Sequence, residues 1–122
     1  MVKRLIFIVD DEKELRKKYK KLLIKEGFKV VEASNALEVA NILMREKSKL
    51  DLILLDINIS EVDGRDIFDI IEEYVPGLPV IVTSVYPVSE QKLRIPKAVD
   101  YYHKLQKEES LIKKIKNALG LE

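Results

Sequence analysis

The 122-residue sequence contains no cysteine. That single absence excludes disulfide frameworks, thiolate metal sites and cysteine nucleophiles. Glycine is scarce, at positions 27, 64, 77 and 120 only, and these are too scattered to form a phosphate-cradling loop, which disfavours nucleotide binding of that kind. No apolar run approaches the ~20 residues a membrane-spanning helix needs. Met1 to Val9 places basic residues ahead of apolar ones, as a leader peptide does. However, its apolar stretch, Leu5 to Val9, is short and closed by two aspartates, with no small-residue cleavage site. The expectation is a cytoplasmic protein with no membrane association. Charge of one sign is lacking too: 22 basic residues against 21 acidic leave a net +1, which gives no general pull toward nucleic acid.

Apolar residues, in contrast, are plentiful at 47%, enough for one globular core. They fall into two alternating patterns. Leu5-Ile6-Phe7-Ile8-Val9 is a continuous β-rich run, as in a strand covered on both faces. From about Glu12 to Glu26, Leu15, Tyr19, Leu22 and Leu23 recur at helical spacing, and Gly27 supplies a stop. Phe28 to Ala33 follows as a strand, and Asn35 with Glu38 forms a plausible capping pair for the next helix. Leu50 to Leu55 is a third strand. A helix from about Arg65 to Tyr74 places Ile67, Ile70, Ile71 and Tyr74 on one side. Val80 to Thr83 and Val99 to Tyr102 are further strands. Pro87 and Pro96 confine the helix between them to roughly Ser89 to Arg94. Leu111, Ile112, Ile115 and Leu119 line a last helix. Strands alternating with helices predict an α/β fold, a doubly wound parallel sheet of five strands. Residues 1–122 are expected to form a single domain, with no output domain after the last helix.

In such sheets ligands bind beyond the carboxyl ends of the strands. Strand one ends in Asp10-Asp11-Glu12, strand three in Asp56, strand four in Thr83-Ser84 and strand five in His103-Lys104. Crowded carboxylates repel unless a cation neutralises them. A hard divalent ion such as Mg²⁺ suits an all-oxygen site and would screen Asp56 from an anionic phosphoryl group. An aspartate so placed can act as nucleophile and form an acyl phosphate. Lys104 and the Ser84 hydroxyl can then stabilise charge on the transferring group.

Four segments in order carry a resemblance: Val9-Asp10-Asp11-Glu12, Leu54 to Gly64 around Asp56, Pro79 to Ser84, and Ala98 to Lys104. Together they resemble a response-regulator receiver domain over essentially the whole chain. The resemblance implies a flavodoxin-like (βα)5 fold with strand order 2-1-3-4-5. It implies that Asp56 accepts a phosphoryl group from a histidine kinase or histidine phosphotransfer protein. Asp11 and Asp56 would bind Mg²⁺ directly, Asp10 through water and Asn58 through its backbone carbonyl. Ser84 takes the hydroxyl position, Lys104 contacts the phosphoryl group, and Tyr101 sits at the switch-aromatic position, turning inward as Ser84 moves toward the phosphate. Such a protein catalyses its own phosphorylation and dephosphorylation, but chiefly signals to a downstream protein target, not to nucleic acid.

The chain departs from the family pattern at Val85, where a small alanine is usual, and at Leu105, which replaces a proline. A cis Lys104-Leu105 bond would cost ~2.5–4 kcal/mol, so a trans bond is expected. Ile59-Ser60 replaces a common Met-Pro pair. That change is milder; only Val85 and Leu105 support the alternative of a degenerate receiver, a phosphorylation-independent interaction module. The intact Asp10, Asp11, Asp56, Ser84 and Lys104 set argues against it. Other residues have bland readings of their own. Asp10-Asp11 could cap the first helix, Asp63-Gly64 fits turn chemistry, and Tyr101 could be plain core packing. His103 reads as an ordinary strand-end residue. The lysine-rich first helix is either a solvated face or a docking surface for an acidic partner.

Overall fold

The computed structural model describes residues 3–59 and 62–121. Ser60 and Glu61, in the middle of the Asp56 motif, therefore lie outside the described residues. The elements run β1 (Leu5–Val9), α1 (Lys13–Lys25), β2 (Lys29–Ala33), α2 (Ala36–Glu46), β3 (Leu50–Asp56), β4 (Asn58–Ile59), β5 (Val62–Asp63) and α3 (Gly64–Tyr74). Then follow β6 (Val80–Ser84), α4 (Val88–Arg94), β7 (Asp100–His103) and α5 (Glu108–Ala118). Five strands make one sheet in the order β2-β1-β3-β6-β7, every adjacent pair parallel. Counting sheet strands alone, this is the expected order 2-1-3-4-5.

Successive residues of a strand point to opposite faces, so the continuous apolar runs feed two cores. Ile6, Ile8, Leu52, Leu54 and Ile81 pack with Tyr19 and Leu23 of α1 and with Leu111, Ile112 and Ile115 of α5. Phe7, Val9, Ile53, Leu55 and Val82 pack against α2 and α3 through Val39, Leu43, Ile67 and Ile71. Tyr102 belongs to the first core and its neighbour Tyr101 to the second.

The helix ends follow their local chemistry. Gly27 adopts φ +92°, the left-handed conformation that closes a helix cheaply in glycine. The Phe28 N–H then reaches back to the Leu23 carbonyl at 3.0 Å. At α2, the Asn35 side chain accepts from the Glu38 N–H at 2.9 Å. The reciprocal bond goes elsewhere than expected: Glu38 accepts from the Ser34 N–H and hydroxyl, at 2.6 and 2.8 Å. These bonds, the backbone one first, hold the Glu38 carboxyl below its usual range.

Several details differ from expectation. The last strand is shifted one residue, to Asp100–His103, although the Val99 N–H already donates to the Val80 carbonyl as the chain enters the ladder; Val99 itself stays exposed. Tyr74 ends α3 and is exposed rather than packed with Ile67 and Ile71. The short antiparallel pairing of β4 with β5, Asn58 opposite Asp63 and Ile59 opposite Val62, has no periodic signal in so few residues.

Candidate functional site

Parallel register builds the site. Val9 lies opposite Leu55, Asp56 opposite Thr83, and Ser84 opposite His103. Asp10 and Lys104, each one residue past its strand, are thereby carried to the same carboxyl edge as Asp56 and Ser84. The Lys104 N–H extends the ladder by donating to the Ser84 carbonyl at 2.8 Å.

Asp10, Asp11 and Asp56 converge, one carboxylate oxygen from each lying within 4.8 Å of the others. Asp10 and Asp56 are buried and Asp11 is half-buried. The Lys104 ammonium reaches into this group, 3.0 Å from Asp10 Oδ2, 3.2 Å from Asp56 Oδ2 and 3.7 Å from Glu12 Oε1. The second oxygen of Asp56 accepts from the Asn58 N–H at 3.1 Å. Asp10 Oδ1 accepts from the Glu12 N–H at 2.9 Å. The pair Asp10-Asp11 therefore does more than cap α1, whose N-cap Glu12 makes no side-chain cap bond.

Burial pushes the Asp56 carboxyl up to about 6; Lys104 and the Asn58 N–H oppose this, and Asp10 adds to it. Burial works against the charge of Lys104 as well, but the carboxylates of Asp56 and Asp10 outweigh it and raise the ammonium's pKa. One ammonium cannot neutralise four nearby carboxylates. The all-oxygen donor set and the remaining negative charge fit a hard divalent cation such as Mg²⁺.

Ser84 is buried at the same edge, and its Oγ accepts from the Tyr86 N–H at 3.0 Å. Tyr101 lies inward, its hydroxyl donating to the Ile95 carbonyl. Asp63 accepts from the Arg65 N–H at 2.9 Å as the N-cap of α3, in keeping with its turn chemistry. His103 closes the turn after β7: its Nδ1 accepts from the Leu105 N–H at 3.1 Å. The described residues contain no cis peptide bond, so Lys104-Leu105 is trans. Val85 and Leu105 both face solvent, 59% and 84% exposed.

Two participants escaped the sequence. Arg16 donates to the Asp10 carbonyl at 2.8 Å; its place six residues after Asp10 carried no signal beyond the general basicity of α1. Gln91, fully buried on α4, donates through Nε2 to the carbonyls of Tyr86 at 2.8 Å and Tyr102 at 3.3 Å. It thereby ties the loop after Ser84 to strand β7. A polar residue in a seven-residue helix reads as surface until the packing is seen.

The family model for the response regulator receiver domain matches residues 6–116. The transcriptional regulatory protein GlrR of Escherichia coli is 36% identical over 81 residues, which are 66% of this chain and 18% of that protein. A CheY-like receiver domain from Methanospirillum hungatei superposes with a TM-score of 0.87 at 26% identity, covering 98% of this chain and 95% of that one. Response regulator TrrA of Thermotoga maritima, in complex with Mg(2+)-BeF, superposes with a TM-score of 0.84 at 26% identity, covering 95% of this chain and 99% of that one. With the family match over residues 6–116 and the matching fold, the chain belongs to the response regulator receiver domain family of two-component signalling.

Proposed function

We propose that the chain is an Mg²⁺-dependent phosphoacceptor whose Asp56 takes a phosphoryl group from a histidine kinase or histidine phosphotransfer protein. The observation that carries this reading is the Asp56 carboxylate itself. It is buried, converged with Asp10 and Asp11 within 4.8 Å, and held from two sides by Lys104 and the Asn58 N–H.

An Asp56 oxygen attacks the phosphorus of the donor's phosphohistidine. The new P–O bond forms as the P–N bond breaks, and the imidazole leaves with the electron pair and takes up a proton. Asp10, Asp11, Asp56 and the Asn58 carbonyl would hold Mg²⁺, which when bound supplies charge neutralisation at the phosphoryl oxygens. Lys104 then pairs with a phosphoryl oxygen in place of the carboxylates it now bridges, and the Ser84 hydroxyl donates to another. In turning to the phosphoryl group, Ser84 leaves the Tyr86 N–H without its acceptor. That frees the loop leading into α4. Tyr101, expected to turn inward at this step, is already inward with its hydroxyl on the Ile95 carbonyl. Ser84 and this loop therefore start the change, and protein contacts carry the output.

Incubation with a small phosphodonor and Mg²⁺, followed by intact-mass measurement, tests this. A phosphoryl adduct that disappears in Asp56→Asn and when metal is withheld is the expected result. No adduct on the unaltered chain would overturn it in favour of the phosphorylation-independent interaction module.

A further inference from the structure

The Asp10 carbonyl lies just past the end of β1, whose pairing on both sides stops at Val9. A carbonyl in this position needs a donor, and Arg16 Nη1 supplies a charged one at 2.8 Å. Helical side chains lean toward the helix N-terminus, so a residue in the first turns of α1 can reach back to the strand end. The same guanidinium is anchored on its other side, Nε donating to Glu32 Oε1 on β2 at 3.2 Å. Lys20 Nζ stands 3.5 Å from the other Glu32 oxygen. Asp10 is thus held at four points: its N–H on the Ala33 carbonyl, Oδ1 under the Glu12 N–H, Oδ2 paired with Lys104, and its carbonyl under Arg16.

The peptide group is planar, so pinning the Asp10 carbonyl also fixes the Asp11 N–H and Cα, and with them the base of the Asp11 side chain. We infer that Arg16, anchored by Glu32, is a positioning residue for the acidic pair, holding the Asp10–Asp11 peptide so that both carboxylates can serve one divalent cation. The inference rests on the reading of this site as an Mg²⁺ centre.

Electrostatics alone gives the opposite sign. A guanidinium on the Asp10 carbonyl repels a divalent cation held by the neighbouring carboxylates, so removing it should tighten Mg²⁺ binding. Removing an orienting group should weaken it, since outer-shell partners of metal ligands typically govern affinity by about tenfold or more. The two accounts therefore separate by direction.

The test is Mg²⁺ titration calorimetry on the full chain, with MgCl2 alone as probe, comparing the unaltered protein with Arg16→Met and Lys20→Met. The expected result is about a tenfold weaker affinity for Arg16→Met, with Lys20→Met binding as tightly as the unaltered chain or more so. Arg16→Met also loses its pair with Glu32 and some thermal stability, so affinity measured well below its unfolding transition is the deciding quantity. Equal or tighter binding by Arg16→Met overturns the positioning role while leaving the metal reading in place. An unaltered chain that binds no Mg²⁺ overturns both. Should Arg16→Met fail to fold, Glu32→Ala is measured at low salt and at about 0.5 M, where the through-space loss of a negative charge is screened. A weakening that persists at high salt supports the inference, and recovery of full affinity there overturns it.

Discussion

The Tyr101 hydroxyl donates to the Ile95 carbonyl at 2.6 Å in the protein interior. Ile95 is the C-cap of α4, so this bond joins β7, the strand that leads to Lys104, to the end of the short helix. Tyr101 already stands inward, with burial pushing its phenol's pKa up. Tyr101→Phe removes the donor and leaves a buried carbonyl unpaired, an expected loss of about 1–2 kcal/mol in chemical denaturation. An unchanged midpoint would mean the bond contributes nothing.

Tyr19 is the opposite case. Its hydroxyl is buried between α1 and the sheet and has no hydrogen-bond partner among the described residues. Burial, then the charges of Tyr102 and Asp10, push its phenol up. Tyr19→Phe deletes an unsatisfied polar atom while keeping the ring, so stability should hold or rise by up to about 1 kcal/mol. A clear loss would reveal a partner for the hydroxyl.

The raised Asp56 carboxyl makes stability depend on pH. Between its ordinary value of 3.8 and about 6, the folded chain binds this proton more tightly than the unfolded chain does. Stability therefore falls as pH rises through that window, and the penalty above it is roughly 3 kcal/mol without metal. Asp56→Asn cannot ionise. It should be more stable than the unaltered chain at pH 7, and the gap should close near pH 4. Mg²⁺ affinity should also fall below about pH 6, as protons compete for Asp56. Metal-free melting curves and calorimetric titrations across pH check both statements.

Gly64 begins α3 against the strand end that carries Asp56. A Cβ there would meet the Ile57 Cα and carbonyl oxygen at 2.6 Å, while the Gly64 N–H donates to that same oxygen at 2.8 Å. Gly64→Ala must displace backbone next to the phosphoacceptor. A loss of about 1–3 kcal/mol is expected, together with slower phosphoryl uptake from a small donor. An alanine variant with unaltered stability and rate would contradict the close packing.

On α1, Lys13, Lys17 and Lys21 recur every four residues as an exposed stripe, and no ion pair engages them among the described residues. Reversing all three to Glu should slow phosphotransfer from a phosphorylated partner protein at low salt while leaving uptake from a small donor unchanged. Equal protein-to-protein rates at low salt would leave the stripe a solvated face.

Asp10, Asp56, Ser84 and Lys104 were legible as candidates because each follows a β-rich run, and strand ends are where such sheets carry chemistry. Gly27 and Asn35 were legible because caps act within a few residues of chain. Gln91, Arg16 and the bonds that Ser34 donates to Glu38 were not. Their partners are chosen by packing or by the geometry of a turn, and the residue types alone suit exposed positions equally well. The exposure of Tyr74, at the helix end the sequence did mark, and the shift of the last strand away from Val99 have the same origin. Apolar character does not say whether a side chain at a helix end is covered or where a ladder begins.

For this protein the sequence by itself determined the alternation of strands and helices, the two faces of the sheet and the residue types at its carboxyl edge. These are set by periodicity and by short-range steric and hydrogen-bonding preferences. Only the tertiary structure decided that Lys104 lies between Asp10 and Asp56, that burial raises the Asp56 carboxyl, and that Arg16 holds the carbonyl of Asp10. Distances and desolvation across a sheet depend on the register of strands far apart in the chain, and local sequence does not encode that register residue by residue.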